Sequence, residues 1–131
     1  MKMFKTIQLN EGEGKCCFDI TATITDDGLM VHLTGGDRPH VGAVVMSLPR
    51  PSLENPSEIS CTSYVLPRFG HKDDEVAKPL AEKLARHYNT TVVVVAGIHI
   101  KNADKSDIQR AIESVNRLTR KLIVKIDEYL K

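Results

Sequence analysis

The chain has 131 residues, of which 41% are hydrophobic and 27% are charged, and its net charge is +1 with histidine neutral. These values are typical of one globular domain over residues 1–131, and they give no reason to expect binding to nucleic acid or to a membrane surface. The start of the sequence lacks the apolar run of a signal peptide and no stretch is long enough to span a membrane, so we expect a cytoplasmic protein.

The first half of the chain has the alternation of half-buried β-strands. Residues 16–34 are predicted to form a β-hairpin, in which Gly28 suits the turn between two runs of alternating apolar residues. A mostly apolar strand, VGAVVMSL (41–48), comes next. The three prolines of PRPSLENPSE (49–58) are expected to end that strand, because proline cannot donate to a strand ladder. ISCTSYVL (59–66) is predicted to be the following strand.

The second half alternates helix and strand. DDEVAKPLAEKLARHYN (73–89) has apolar residues at helical spacing, and Pro79 either kinks this helix or lies in the first turn of a helix that starts later. TTVVVVAGIHI (90–100) is typical of a central strand that is covered on both faces. A long amphipathic helix follows, with Asp104 as its N-cap and Asp107 three residues on. The order ββββαβα predicts an α+β fold, a single mixed sheet of about five strands with two helices packed on it.

Two polar, glycine-containing loops stand out from this framework. The first is GGDRPHVG (35–42), in which Gly35 and Gly36 allow the backbone to approach a ligand. Arg38 is suited to a bidentate contact with a phosphate or carboxylate. Asp37 is suited to orienting Arg38 or to accepting from a ring N–H, and His40 to acting as donor, base or ligand. The alternative is a tight loop with a self-satisfied polar network.

The second loop, LPRFGHKDDE (66–75), joins a strand to the start of a helix. A helix N-terminus favours anions, and Gly70 and the basic residues Arg68, His71 and Lys72 lie beside it, which suits a phosphate. The alternative is that Asp73 only caps the helix and the basic side chains are solvated. His99 lies at the end of the predicted central strand, where open α/β sheets place ligand crevices.

Two enzymatic hypotheses have weaker support. A metal site built from His40, His71 and Asp73 or Asp74 lacks a recognisable ligand spacing. A nucleophilic mechanism needs Cys61 or a serine beside a histidine, and no nucleophile-elbow motif is present. The residues alone indicate a small α/β domain with two polar loops able to bind an anionic ligand.

Three blocks in order resemble the LpdD-like family, which is linked to gallate decarboxylase and described as prenylated-flavin chaperones. The blocks are GGDRPHVGAVVMSLPRPSL, GHKDDEVAKPLAEKL and VVVVAGIHI, and the resemblance runs from about Phe18 to the final helix. It maps the family's pattern onto two sets of residues, with Arg68 carried over more weakly. The sets are Gly35, Gly36, Asp37, Arg38, Pro39, His40 and Gly42, and Gly70, His71, Lys72, Asp73 and Asp74.

The resemblance implies a fold similar to proteasome assembly chaperones, and a homodimer. It also implies binding of prenylated FMN (or FMN), made by a flavin prenyltransferase, and its maturation or delivery to a UbiD-type decarboxylase, without catalysis by the chain itself. His99 would join the two loops in that site. The alternatives are a homodimeric assembly protein with no small ligand, or a small metal- or nucleotide-dependent enzyme.

Overall fold

The computed structural model describes residues 5–70 and 73–131. Within these residues it contains six strands, two α-helices and a short 3₁₀ turn at Gly14–Cys16. The strands are β1 (Lys5–Glu11), β2 (Phe18–Ile24), β3 (Gly28–Gly36), β4 (Ala43–Pro51), β5 (Ile59–Pro67) and β6 (Thr91–His99). The helices are α1 (Asp74–Tyr88) and α2 (Lys105–Leu130).

The strands form one mixed sheet in the order β1-β2-β3-β6-β4-β5. The β3–β6 pair is parallel and the other neighbours are antiparallel. The predicted mixed sheet with two helices is therefore confirmed, but it has six strands rather than about five. The missed strand is β1, which lies at the edge of the sheet and carries only Ile7 and Leu9 as apolar residues.

The predicted hairpin is confirmed with shifted bounds. Cys16 lies in the 3₁₀ turn before β2, and β3 continues through Gly35 and Gly36. These two glycines therefore end a strand rather than begin the loop. Between β3 and β4, the loop proper consists of residues 37–42.

Pro49 and Pro51 do not end β4, so the expectation is wrong for these two prolines. Pro49 and Pro51 lie within β4 and pair with β5. Pairing of β4 with β6 stops at Ser47, so beyond this point β4 has a free edge. Proline is tolerated at this edge, because on the side that β6 no longer covers there is no strand that needs an N–H donor from β4.

Both helices pack on the same face of the sheet, and a single buried cluster lies between the two layers. The strand β6 is central, as predicted, but it is covered on one face only. Its alternate residues Val93 and Val95 face the uncovered side and are half-buried. The prediction that this strand is covered on both faces is therefore wrong for the single chain.

The helix boundaries follow local sequence signals. Helix α1 begins at Asp74, before Pro79, which therefore lies inside the helix, so a later start is ruled out. Asn89 ends it in the left-handed conformation. Helix α2 begins with the predicted Asp104 cap, which forms a reciprocal capping box with Asp107. Neither helix has an apolar stretch that meets the requirements for crossing a bilayer.

Candidate functional site

The 37–42 loop meets the carboxyl end of the central strand β6. The Nδ1 atom of His99 lies 2.9 Å from Oδ1 of Asp37, and the backbone N–H of Asp37 donates to the carbonyl of His99 at 2.9 Å. The hydrogen bond from His99 holds the pKa of the Asp37 carboxyl below its usual range, with further help from the backbone N–H groups of Asp37 and Lys101. Asp37 is thus a carboxylate that orients His99.

A second Asp–His pair joins the same loop to the start of α1. The Nε2 atom of His40 lies 3.1 Å from Oδ2 of Asp73, and Oδ1 of Asp73 accepts from the backbone N–H of Ile98 at 2.9 Å. The Nδ1 atom of His40 lies 3.1 Å from the carbonyl of Arg38. Both ring nitrogens of His40 therefore face oxygen acceptors, which fixes the orientation of the ring.

Asp73 has a different role from the one that a simple helix cap predicts. It occupies the N-cap position of α1, but its side chain makes no capping hydrogen bond. Its carboxylate is buried and ties α1 to β6 and to the 37–42 loop. The two histidine rings that the aspartates hold are 6.4 Å apart between centroids, edge to face.

Three glycines permit this close packing. A Cβ on Gly42 would lie 1.7 Å from Oδ2 of Asp73, and one on Gly97 would lie 1.4 Å from the carbonyl oxygen of His40. Gly36, with φ +80°, faces the carbonyl of His99. The space beside each glycine is filled by the protein itself, as it is for Gly35 beside Phe18.

The other predicted residues surround this cluster. Arg38 and Pro39 are exposed, and Arg68 is exposed and donates to the carbonyl of Val41 at 3.2 Å. Gly70 has φ +75° with open space beside it, and Asp74 lies in the first turn of α1. His71 and Lys72 lie outside the described residues. The structure thus brings Asp37, His40, Asp73 and His99 together, with Arg38 next to them.

The backbone partners of this cluster were missed at the level of sequence. The N–H of Ile98 donates to Asp73, and the N–H of Lys101 helps to lower the pKa of Asp37. Neither residue has a side chain that would single it out as a site candidate. His99 was predicted to lie at the carboxyl end of a strand, and the same reasoning applies equally to its neighbours. The only signal in the sequence was the position of these residues, next to His99 at the end of a predicted strand.

Of the two enzymatic hypotheses, the metal site includes His71, which lies outside the described residues. In residues 5–70 and 73–131, no three His, Cys, Asp or Glu side chains are grouped as a metal site. The three cysteines are unpaired. The Sγ atom of Cys61 lies 3.8 Å from Nη1 of Arg86, a contact on the helix-covered face of the sheet.

Comparisons with known proteins agree with the fold and with the sequence pattern. Residues 12–127 match the model of the family described as the prenylated flavin chaperone LpdD-like domain. Protein LpdD of Lactiplantibacillus plantarum (strain ATCC BAA-793 / NCIMB 8826 / WCFS1) is 30% identical over 95 residues, which cover 72% of this chain and 66% of that relative, just under two thirds of its length. A chain from the crystal structure of a chaperone complex for yeast 20S proteasome assembly has a TM-score of 0.62 at 16% identity, with 99% of this chain and 100% of that chain covered. The last likeness concerns the fold alone and confirms the predicted chaperone-like architecture.

Proposed function

Since this chain belongs to the LpdD-like family of prenylated flavin chaperones, we propose that it binds prenylated FMN and aids its maturation or its delivery to a UbiD-type decarboxylase. It receives the cofactor from a flavin prenyltransferase, acts in the cytoplasm and performs no catalysis of its own. The observation that carries this proposal is the meeting of the Asp37–His99 and Asp73–His40 pairs at the carboxyl end of β6. Residues predicted from separate parts of the sequence thereby become one polar surface, called here the polar edge, which consists of Asp37, His40, Asp73 and His99 with Arg38 beside them.

The hydrogen-bonding groups of the site suit a flavin. Asp37 accepts from Nδ1 of His99, which directs Nε2 of that ring away from the aspartate, where it makes no hydrogen bond within the described residues. The hydrogen bond at one ring nitrogen determines the role of the other. The Nε2 atom of His99 is therefore a suitable acceptor for an N–H of the flavin ring.

The charges fit a phosphate tail. Arg38 and Lys101 are both exposed. Arg38 directly follows Asp37 in the sequence, and Lys101 lies two residues after His99. The carboxylates of Asp37 and Asp73 are already engaged by histidines and backbone N–H groups, which reduces their repulsion of an anion. Arg38 makes the bidentate contact that suits a phosphate, and Lys72 is proposed to support it.

The uncovered face of the sheet supports a homodimer. One row across four strands consists of Met30, Val93, Met46 and Tyr64, which are paired in register. Met30 is 54% exposed, Met46 39% and Tyr64 60%. An uncharged apolar row of this kind is self-complementary, and a second copy of the chain covers it through a two-fold axis.

An assembly role without a small ligand is the second candidate. It is favoured by the same apolar face and by the likeness of the fold to a chaperone of proteasome assembly. The two candidates differ in what the polar edge does. In the carrier it binds the flavin, whereas in the assembly protein it only holds the loops in place.

The deciding experiment purifies the protein without oxygen from cells that also express a flavin prenyltransferase. Visible absorbance and the mass of the released ligand are recorded. We expect prenylated FMN in near-stoichiometric amount. No flavin, from cells shown to contain it, would refute the carrier function and favour the assembly role.

Substitutions then test the polar edge. Arg38→Ala and Lys72→Ala are each expected to reduce flavin occupancy while leaving the melting temperature nearly unchanged. Arg120→Ala, which removes an exposed cation on α2, is the matched control and should retain the parent's occupancy. If both edge variants bind as the parent does, the flavin site lies elsewhere.

A further inference from the structure

Tyr88 links the two helices near the end of α1, and a cleft lies between their first halves. Near the end of α1, the Tyr88 hydroxyl lies 2.9 Å from Oδ1 of Asp127 and 3.2 Å from the carbonyl of Ile123, both on α2. Toward the first turns of both helices there is instead a cleft of about 470 Å³. The cleft therefore lies between the first halves of the two helices, and it reaches Ile98 at the end of β6, beside the polar cluster.

The walls of the cleft are mostly apolar. Ile98 and Ile100 line it where β6 ends, Val76 and Leu80 line it from α1, and Ile108, Ala111, Ile112 and Val115 line it from α2. Ile108 is 52% exposed and Ile112 47% exposed, although both continue the stripe that is buried farther along α2. This part of the stripe has an apolar surface without a partner from the chain's described residues.

The cleft is continuous with the polar edge. The backbone N–H of Ile98 donates to Asp73 while Ile98 also lines the cleft, and the next residue is His99. A ligand with an apolar body and a polar tail can therefore contact both regions at once. The polar side chains that line the cleft are Glu75, Lys83, Asn116 and Thr119.

The size of the cleft favours a small molecule over a peptide helix. Its volume of about 470 Å³ is within the range of ligand pockets, roughly 300–1,000 Å³. Two turns of helix about 10 Å across occupy roughly 850 Å³. A fused aromatic ring system with an added isoprenoid group is apolar and compact enough for such a cleft.

We propose that the cleft between α1 and α2 binds the isoprenoid-bearing ring system of the flavin, while the Asp37–His99 edge contacts its polar part. This inference rests on the proposed function and adds the place where the apolar rings are held. Burial of the isoprenoid carbons in the cleft gives the protein a preference for prenylated FMN over FMN, because the phosphate and ribityl groups of the two molecules are the same.

The test fills the cleft without changing the polar edge. Ile112→Trp adds an indole to a half-exposed cleft position, and Val124→Trp adds the same group to an exposed position of α2 that does not line the cleft. Each protein is purified without oxygen from cells that express a flavin prenyltransferase. Prenylated FMN per chain is measured by mass and absorbance, and FMN binding is titrated separately.

We expect Ile112→Trp to lower prenylated FMN occupancy at least tenfold and Val124→Trp to leave it unchanged. If the parent carries the flavin and Ile112→Trp carries as much, the cleft is not the site, although the carrier function stands. If the parent carries none, both proposals fail. Should Ile112→Trp not fold, Ile108→Trp fills the cleft from the more exposed position with the same expected loss, and Ile112→Val should retain binding.

Discussion

Asp73 and Ile98 are 25 residues apart in sequence, yet Oδ1 of Asp73 accepts the backbone N–H of Ile98 at 2.9 Å. The other oxygen of the same carboxylate contacts His40. One buried side chain thus connects the start of α1, the end of β6 and the 37–42 loop. The polar edge depends on this connection.

Asp73→Ala is expected to lower the free energy of unfolding by about 1–3 kcal/mol, because it leaves the half-buried Ile98 N–H without its acceptor. Asp74→Ala is the control, since Asp74 lies next to it in the first turn of α1. It loses only the favourable interaction with the helix N-terminus, about 0.3–1 kcal/mol. Urea denaturation of both variants measures the difference, and equal losses would show that the Asp73 bridge adds nothing.

Gly97→Ala is expected to disrupt the same edge from the side of β6. The new Cβ would lie 1.4 Å from the carbonyl oxygen of His40, so the loop must move, and we expect a loss of about 3 kcal/mol or more. Gly70→Ala meets open space and only the cost of a positive φ, about 1–2 kcal/mol. Thermal denaturation compares the two, and a larger loss for Gly70→Ala would contradict the close packing of His40 on Gly97.

The sequence allowed the layers of this fold to be predicted because their signals are local. The alternation of Phe18–Ile24 and the Asp104–Asp107 pair each identify an element from a few neighbouring residues. The strand β1 was missed because an edge strand needs few apolar residues. Extension of β4 through Pro49 and Pro51 depends on where β6 ends, a fact of pairing that no local pattern contains.

The candidate site was predictable in its residues but not in its connections. Polar side chains between apolar strands identified Asp37, His40, Asp73 and His99 as unusual. Which aspartate holds which histidine depends on the register of β3 with β6, in which Gly36 pairs with His99. The cleft between the helices was invisible for the same reason, since the stripe on α2 looks uniformly buried in the sequence.

The apolar row on the open face of the sheet predicts the effect of a charge there. Met46→Glu should weaken self-association at least tenfold, equivalent to about 1.4 kcal/mol, because a two-fold interface would bury two unpaired carboxylates. Sedimentation velocity over a range of protein concentrations measures the change. Val124→Glu, at an exposed position of α2, should behave as the parent does, and a parent that is monomeric throughout would rule out the dimer.

Tyr88 predicts a dependence of stability on alkaline pH. Burial raises the pKa of its hydroxyl, and the hydrogen bond to Asp127 raises it further. At neutral pH, Tyr88→Phe loses the link between the helices, and we expect the free energy of unfolding to fall by about 1 kcal/mol. Above pH about 10, the ordinary tyrosine pKa, the unfolded parent releases this proton and the folded parent keeps it.

The free energy of unfolding of the parent therefore falls as the pH rises above this value. The phenylalanine variant has no hydroxyl proton at position 88, so its free energy of unfolding does not include this fall. The difference in stability between parent and Tyr88→Phe should then shrink between pH 9 and pH about 11. Urea denaturation of both proteins at several pH values measures it. Tyr129→Phe, which alters a 43% exposed tyrosine on α2, controls for tyrosine ionisation in general. A difference that stays constant across this range would mean that the Tyr88 hydroxyl ionises as easily in the folded chain as in the unfolded one.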